Sequence, residues 1–409
     1  MTNLQAELNQ LEQKCLKRSL RVVTEASSAR LTIDGKPLVN FSSNNYLGLA
    51  RDPRVIEAVR QVLDHWGVGA TSSRLISGSS IIHQDLEDAL AAFLGRKAAL
   101  LFPTGYMANL GLVTSLVGQG DAVILDRLCH ASLIDAARLS GARLFVYRHG
   151  DAEDAEKVLK RTADYRRRLL ITESLFSMNG DFAPLGALVD LARRYEAISM
   201  VDEAHAMGVW GEAGRGLSAP SPLMGEGWDG GVRPSTPHPS PPPQGGRGDW
   251  DVVVGTLSKA LGSQGGFVAG SRELIDTLVN RARSFIYTTG LSPACVAAAQ
   301  AALSIVQEDA APRRHLQKLS DRLREELCMQ GWDILHSESQ IIPILLGDAK
   351  AALACAERLQ QAGFFAPAIR PPTVHAGECR IRFSVTAEHT EKDIDDLLRV
   401  MSSRVLSKS

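Results

Sequence analysis

A lysine and an aspartate each follow an apolar segment that is typical of a buried strand. Lys259 lies in the run VVVGTLSKALG over residues 252–262, and Asp202 directly follows the apolar residues 197–201. A lysine amine can form a Schiff base with the aldehyde of pyridoxal phosphate (PLP), and a carboxylate can keep the pyridine nitrogen of that cofactor protonated. The pair therefore predicts a PLP site with Lys259 and Asp202 as catalytic residues.

The segment after another apolar strand predicts a binding site for the phosphate of the cofactor. Residues 102–109 read FPTGYMAN and lead from the strand into a helix. Backbone N–H groups at the start of a helix favour a phosphate dianion, and Gly105 allows the chain to approach closely. We expect Tyr106 to pack near the cofactor and Thr256 to donate its hydroxyl to the phosphate.

Three further polar residues follow apolar strands. His130 comes just past residues 122–125, at the strand end where open α/β sheets bind ligands, and its ring is expected to stack on the planar cofactor. His205 lies three residues beyond Asp202 and is expected to bind the phenolic oxygen of the cofactor. Ser177 lies in a turn after a strand and suits another polar contact with it.

Two arginines indicate an anionic substrate. Arg370 lies in the run AIRPPTV over residues 368–374, and Arg21 lies at the end of the first predicted helix. A guanidinium can bind a carboxylate through two parallel hydrogen bonds. For Arg21 a surface position without a role in binding remains an equal alternative.

The apolar segments alternate with helical patterns, as in an α/β fold. This alternation predicts a mostly parallel central sheet with helices on both faces and a smaller α+β C-terminal domain. The candidate strands of the central sheet are residues 98–102, 122–125, 143–147, 169–172, 197–201, 252–255 and 267–269. The C-terminal domain is predicted to contain strands at 341–346, 367–370 and 380–385 and helices at 350–362 and 390–403.

The pattern divides the chain into three regions. These are an N-terminal helix (residues 1–20) and hairpin segment over residues 1–50, a large PLP-binding α/β domain over 51–290, and the C-terminal domain over 291–409. Residues 219–248 are rich in proline and glycine, which predicts a disordered surface insertion in the large domain.

The composition excludes several classes of partner. The 409 residues carry a net charge of −1, so no global field favours nucleic acid or a membrane surface. Six cysteines without a C-x-x-C pair indicate neither a zinc site nor a disulfide framework, and no metal is expected. With no signal-peptide pattern, we expect a cytoplasmic protein. The DEAH motif also occurs in helicases, but the phosphate-binding G-x-x-x-x-G-K-[ST] loop that these require is missing from the sequence.

Five motifs together resemble those of the α-oxoamine synthases, which are fold-type I PLP enzymes. The motifs are NFSSNNYLGL at residues 40–49, DRLCHAS at 126–132, FSMNGD at 176–181, VDEAH at 201–205 and TLSK at 256–259. The resemblance runs from about residue 15 to 403, apart from the insertion. It implies a homodimer that condenses an amino acid with an acyl thioester and releases carbon dioxide.

The resemblance also implies roles for individual residues. Lys259 would carry the cofactor, and the substrate would contact Arg21, His130 and Thr373. The cofactor would be held by Gly105, Tyr106, Ser177, Asp202, His205 and Thr256.

The run IRPPTV over residues 369–374 is similar to the branch that joins L-alanine to a pimeloyl group carried by coenzyme A or a carrier protein. Use of glycine or serine, aminotransfer, or a non-catalytic role remain alternatives.

Overall fold

The computed structural model of the protein describes residues 3–219 and 250–402. Residues 220–248 of the predicted insertion therefore lie outside the described residues. So far as they are described, the residues form two units. Unit 1 combines Met1–Gly48, Ser177–Asp181 and Ala311–Ser409, and unit 2 combines Leu49–Phe176 and Phe182–Ala310.

The helices and strands of the described residues are numbered in chain order. The strands are β1 (Val23–Ala26), β2 (Arg30–Ile33), β3 (Lys36–Asn40), β4 (Ala98–Phe102), β5 (Ala122–Asp126), β6 (Arg143–Tyr147), β7 (Arg168–Glu173), β8 (Ile198–Asp202), β9 (Val252–Thr256), β10 (Gly266–Gly270), β11 (Ile341–Gly347), β12 (Phe364–Phe365), β13 (Ala368–Ile369) and β14 (Cys379–Ser384). The helices are α1 (Leu4–Gln13), α2 (Pro53–Trp66), α3 (Ile81–Leu94), α4 (Gly105–Leu116), α5 (Ala131–Ser140), α6 (Ala152–Arg161), α7 (Leu185–Arg194), α8 (Arg272–Arg281), α9 (Arg283–Ile286), α10 (Pro293–Glu308), α11 (Ala311–Met329), α12 (Ala349–Gln361) and α13 (Glu391–Met401).

Unit 2 is built on one seven-stranded sheet with the order β4-β10-β9-β8-β7-β5-β6. Strand β10 runs antiparallel to both of its neighbours, and the pairs from β9 to β6 are parallel. Strands β4, β5, β9 and β10 are buried at every residue, which requires cover on both faces of the sheet. The predicted mostly parallel sheet with helices on both faces is confirmed.

A hydrophobic cluster fixes helices α4 and α5 against this sheet. Phe102 of β4 and Leu125 of β5 pack with Leu112 of α4 and Leu133 of α5, and each side chain is at most 1% exposed. Because both helices begin just after a strand of the sheet, this packing determines where their N-terminal residues lie. Among the described residues, no helix combines the length and apolar character that a membrane span requires.

Unit 1 contains two smaller sheets. Strands β1, β2 and β3 are antiparallel and β12 pairs with β3 in parallel, while β11, β14 and β13 form an antiparallel sheet. The predicted hairpin turns at Asp34 and Gly35, whose φ angles of 50° and 72° are those of a tight two-residue turn. The predicted smaller C-terminal α+β region is confirmed.

Helix α1 is shorter than predicted. The apolar spacing suggested a helix over residues 1–20, but α1 ends at Gln13 and Cys15 has a φ of +56°. The carbonyl of Cys15 accepts a hydrogen bond from the guanidinium of Arg370, a residue distant in the sequence. This contact and the left-handed backbone end the helix, so Arg21 lies beyond it rather than at its end.

Both chain segments that lead to residues 220–249 are held by contacts within unit 2. Before this range, the backbone N–H of Ser218 donates to the buried carboxylate of Glu203 at 2.6 Å. After it, the carbonyl of Trp250 accepts a hydrogen bond from Arg96 Nη1 at 2.6 Å, and the Trp250 side chain is 1% exposed. The sheet therefore holds both flanks independently of the chain between them.

Gly266 is a position where no side chain fits. A Cβ added there would lie 2.5 Å from the backbone N and Cα of Gly105, and backbone atoms cannot move aside cheaply. We expect Gly266→Ala to lower the free energy of unfolding by about 1–3 kcal/mol, as other overpacking substitutions do. Urea unfolding would measure this change. As a control, Gly186→Ala in α7 has open space around the new Cβ and should raise stability by up to about 1 kcal/mol. Equal effects of the two substitutions would contradict the prediction.

Candidate active site

The carboxyl ends of the parallel strands in unit 2 open into a cavity of about 220 Å³. Each polar residue at its wall is placed by the end of a strand or the start of a helix. The wall includes seven residues that the sequence predicted, namely Gly105, Tyr106, His130, Asp202, His205, Thr256 and Lys259. It also includes Asn109, Ser132, Glu173 and Ser258, to which the sequence assigned no role.

Lys259 lies in the turn that follows β9, and His205 lies in the turn that follows β8. Lys259 Nζ is 2.7 Å from His205 Nε2. An ammonium group can only donate, so a protonated Lys259 requires Nε2 of His205 to accept. The histidine thus holds the amine at a defined position in the cavity.

Asp202 is the last residue of β8 and is 6% exposed. Its Oδ1 accepts a hydrogen bond from the backbone N–H of Ala204 at 2.9 Å, and its Oδ2 accepts one from Asn109 Nδ2 at 3.0 Å. Both donors are uncharged. A buried carboxylate with neutral donors favours a cationic ligand, and the protonated nitrogen of a pyridine ring is such a group.

His130 caps the N-terminus of α5. Its Nδ1 accepts a hydrogen bond from the backbone N–H of Ser132 at 3.2 Å, and its own backbone N–H donates to Glu173 Oε1 at 2.5 Å. The walls of the cavity keep water from the imidazole and lower the pKa of His130, an effect that the charge of Asp202 opposes. A neutral ring at this position suits stacking on a flat ligand.

The start of α4 forms another wall of the cavity. The first helical hydrogen bond runs from Ala108 N to Thr104 O at 3.0 Å, and the Thr104 hydroxyl accepts from Met107 N. The N–H groups of Gly105 and Tyr106 come before that first bond and are available to an anion.

The Thr256 hydroxyl lies beside this helix start, with Gly105 in contact range. Thr256 Oγ1 donates to Gly265 O at 2.9 Å and lies 2.7 Å from the hydroxyl of Ser258, which is exposed. The predicted donation from Thr256 to a phosphate thus competes with Gly265, whereas Ser258 offers a second hydroxyl. Helix start and hydroxyls together fit a phosphate group.

Tyr106 is oriented by a contact with α5. Its hydroxyl donates to Asp135 Oδ2 at 2.6 Å, and the side chain remains 44% exposed. This hydrogen bond raises the pKa of Tyr106, because the phenol donates to a carboxylate and would lose that bond on ionisation.

Four predicted site residues lie in unit 1. Arg21 is exposed and donates from Nη1 to Gln360 Oε1 at 2.8 Å, while the guanidinium of Arg370 donates to the carbonyl of Cys15. Thr373 is exposed and Ser177 is buried. The roles of these four residues toward substrate or cofactor stay predictions.

Glu173 is the wall residue that the sequence could have revealed. It ends β7 and pairs in register with Asp202 at the end of β8, so both carboxylates end neighbouring buried strands. The predicted strand stopped at residue 172, one residue too early. Asn109 and Ser132 carry no comparable local signal, because their partners are distant in the sequence.

Burial and the nearby Asp202 raise the pKa of Glu173 to about 8, although Lys259 and the His130 N–H oppose this shift. Because the folded-state pKa is raised above the ordinary value, the folded protein binds more protons than the unfolded chain between these values. Its stability should therefore fall as the pH rises through this window.

Glu173→Gln should reduce this pH dependence. From about pH 6 to pH 8, we expect cofactor-free wild-type protein to lose about 1–2 kcal/mol more unfolding free energy than Glu173→Gln. Urea unfolding at both pH values checks this, with Glu153→Gln on the exposed face of α6 as the control. Parallel pH curves for wild type and Glu173→Gln would contradict the prediction.

The chain was compared with known protein families and structures. A family model described as aminotransferase class I and II matches residues 36–401. The 8-amino-7-oxononanoate synthase of Geobacter sulfurreducens is 42% identical over 402 residues, which cover 98% of this chain and 97% of the relative.

Two solved structures are similar over most of their length. Serine palmitoyltransferase from S. paucimobilis with bound PLP has a TM-score of 0.89 and 31% identity, covering 99% of this chain and 98% of that one. An 8-amino-7-oxononanoate synthase from Francisella tularensis has a TM-score of 0.74 and 25% identity, covering 90% and 98%.

Proposed function

This chain belongs to the class I and II aminotransferase family, and from that membership and the cavity of unit 2 we propose that it condenses L-alanine with a pimeloyl thioester. The products are 8-amino-7-oxononanoate, an intermediate of biotin biosynthesis, together with carbon dioxide and a free thiol. PLP is the cofactor. The observation that carries the proposal is the presence of Lys259 Nζ in the same cavity as the buried Asp202 carboxylate.

The residues of the cavity fit the separate parts of PLP. Lys259 would carry it, Asp202 would face its ring nitrogen, and the start of α4 with Thr256 would hold its phosphate. His205 would bind its phenolic oxygen, and His130 would stack on its ring. When bound, PLP supplies an electrophilic carbon that captures amines and a ring that takes up negative charge.

The reaction requires a proton to leave the Cα of alanine. Lys259 Nζ is the group proposed to accept it, because a neutral amine in the cavity is a base of suitable strength once desolvated. His205 Nε2, at 2.7 Å, accepts a hydrogen bond from the resulting ammonium and so stabilises the protonated form. Asp202 holds a proton on the ring nitrogen, since its two hydrogen-bond donors leave it negatively charged.

The choice of substrates rests on the relatives. The curated relative at 42% identity is named for 8-amino-7-oxononanoate, and the resemblance of residues 369–374 supports the same branch. Arg21, Arg370 and Thr373 are proposed to bind the substrate, with one of the two arginines holding a carboxylate. A homodimer in the cytoplasm is part of this proposal.

The second candidate is condensation of serine or glycine with another acyl thioester. The high structural similarity to a serine palmitoyltransferase favours it, although the sequence identity to that protein is lower, at 31%. Sequence identity reports the side chains that select substrates, whereas the TM-score reports the backbone that all these enzymes share. We therefore rank the alanine reaction first.

A substrate panel separates the candidates. Alanine, serine and glycine are each combined with pimeloyl-CoA, a pimeloyl carrier protein and palmitoyl-CoA, and the product mass and thiol release are measured. The proposal predicts 8-amino-7-oxononanoate from alanine with a pimeloyl donor. A larger rate with serine and palmitoyl-CoA would establish the second candidate, and amino-group transfer without thiol release would indicate an aminotransferase. A protein that incorporates PLP but shows no absorbance change with any amino acid would be a non-catalytic homologue.

A further inference from the structure

We propose that Asn109 and Ser132 are positioning residues that connect Asp202 to His130 and hold the His130 ring as the neutral tautomer with its proton on Nε2. The catalytic consequence of this arrangement rests on the proposed function. The tautomer itself is a property of the cofactor-free protein and can be measured without any turnover.

The first step fixes the orientation of the Asn109 amide. One atom of this amide lies 3.0 Å from Asp202 Oδ2, and an ionised carboxylate can only accept hydrogen bonds. The atom must therefore be Nδ2. Asn109 is 3% exposed, and its Oδ1 is buried without a hydrogen-bond partner among the described residues. The reversed amide would place that oxygen against the carboxylate, which is worse than leaving it unpaired.

The second step fixes the Ser132 hydroxyl. The same Nδ2 of Asn109 donates its other hydrogen to Ser132 Oγ at 3.0 Å, so this oxygen acts as an acceptor. The single hydroxyl hydrogen of Ser132 is then directed to another acceptor. His130 Nδ1 lies 2.8 Å from Ser132 Oγ and is that acceptor.

The third step fixes the imidazole. Nδ1 of His130 faces two donors, the hydroxyl and the backbone N–H of Ser132, the latter at 3.2 Å. A nitrogen that accepts two hydrogen bonds cannot carry a proton itself, so the proton of the neutral ring lies on Nε2. Protonation of Nδ1 would turn it toward two donors and break both contacts.

The charged groups around His130 do not determine the tautomer. Asp202 and Asp135 favour a protonated ring, Lys259 disfavours it, and Glu173 accepts only the backbone N–H. These charges alter the balance between neutral and cationic forms. The two donors on Nδ1 discriminate between its nitrogens. Burial lowers the pKa of His130, which keeps the ring neutral near pH 7.

The arrangement gives the cavity a donor at a fixed place. Nε2, which makes none of the contacts with Ser132, carries an N–H on the other side of the ring. Since Asn109 is bound to Asp202 at one end and Ser132 at the other, a change in the Asp202 carboxylate alters the hydrogen bonding of His130 as well.

NMR of cofactor-free protein with ¹⁵N-labelled histidine tests the proposal, because the two neutral tautomers give different nitrogen–proton correlation patterns. A His130→Gln spectrum identifies the His130 signals. We expect the Nε2–H pattern in the wild type. Ser132→Ala removes one donor and should lower the ratio of Nε2–H to Nδ1–H forms about fivefold, the effect of one ordinary hydrogen bond. Asn109→Ala should change the ratio in the same direction.

Two variants serve as controls. Ser132→Thr keeps a hydroxyl and should retain the wild-type pattern. Ser140→Ala removes a hydroxyl from the same helix that donates to Ala137 O, and it should leave the His130 signals unchanged. If Ser132→Ala fails to fold, Ser132→Cys provides the comparison because a thiol is a weak donor.

The outcomes separate this inference from the proposed function. An Nδ1–H pattern in the wild type, or a wild-type pattern in both Ser132→Ala and Asn109→Ala, would overturn it. If the predicted NMR changes occur in a protein that never converts alanine and pimeloyl-CoA, the positioning role stands and only the proposed reaction fails.

Discussion

Lys259→Ala should lower the turnover of alanine and pimeloyl-CoA by about 10,000-fold or more. The substitution removes both the amine that carries the cofactor and the base that accepts the Cα proton, and a base alone accounts for about 100- to 10,000-fold. No neighbouring side chain can replace it, because His205 is the group that lies against Lys259 Nζ and an imidazole cannot carry the cofactor in the same way. The rate is measured as thiol release under saturating substrates.

Borohydride reduction gives an independent measurement of the same residue. In wild-type protein supplied with PLP, reduction should leave a pyridoxyl group on the peptide that contains residue 259, and Lys259→Ala should lack it. Lys97→Ala, at an exposed lysine of unit 2, is the matched control and should keep both the mark and the activity. Retention of wild-type turnover by Lys259→Ala would falsify the proposed function.

Asp202→Asn should produce the second largest loss, a fall in turnover of about 100- to 10,000-fold with a weaker affinity for PLP. The substitution removes the negative charge, so the ring nitrogen is no longer held protonated. It also places an amide beside the backbone N–H of Ala204 and Asn109 Nδ2, which both donate. One of these contacts must become a pair of opposed donors. Turnover and the PLP dissociation constant are the two quantities to measure.

A chemical rescue distinguishes loss of charge from loss of structure. A PLP analogue with a methylated ring nitrogen carries a permanent positive charge, so it should restore part of the activity of Asp202→Asn. Asp276→Asn, on the exposed face of α8, is the control and should behave as wild type with either cofactor. If the analogue leaves Asp202→Asn no more active than PLP does, the role assigned to the carboxylate is wrong.

The sequence predicted the features that depend on local pattern. The strands that carry Asp202 and Lys259 are short apolar runs, and their bounds in the structure differ from the predicted ones by about one residue. A residue that ends such a strand lies at the edge of the sheet where ligands bind, so the seven predicted cavity residues come together.

The features that the sequence could not predict depend on distant contacts. Helix α1 ends early where Cys15 meets Arg370. Asn109 gains its significance from Asp202, which lies 93 positions away in the chain. The apolar spacing around Cys15 continues a helical pattern, and nothing in the residues beside Asn109 indicates an acceptor. Such pairings are specified by the assembled sheet.

The anchored flanks at Ser218 and Trp250 have a consequence for engineering. Because Glu203 and Arg96 hold these two points, the length of chain between them affects stability mainly through loop entropy, at about 0.6 kcal/mol for each doubling. A fluorescent reporter could be grafted between residues 219 and 250 with little effect on the sheet. Evolution could equally lengthen or shorten the chain there without repacking the protein interior.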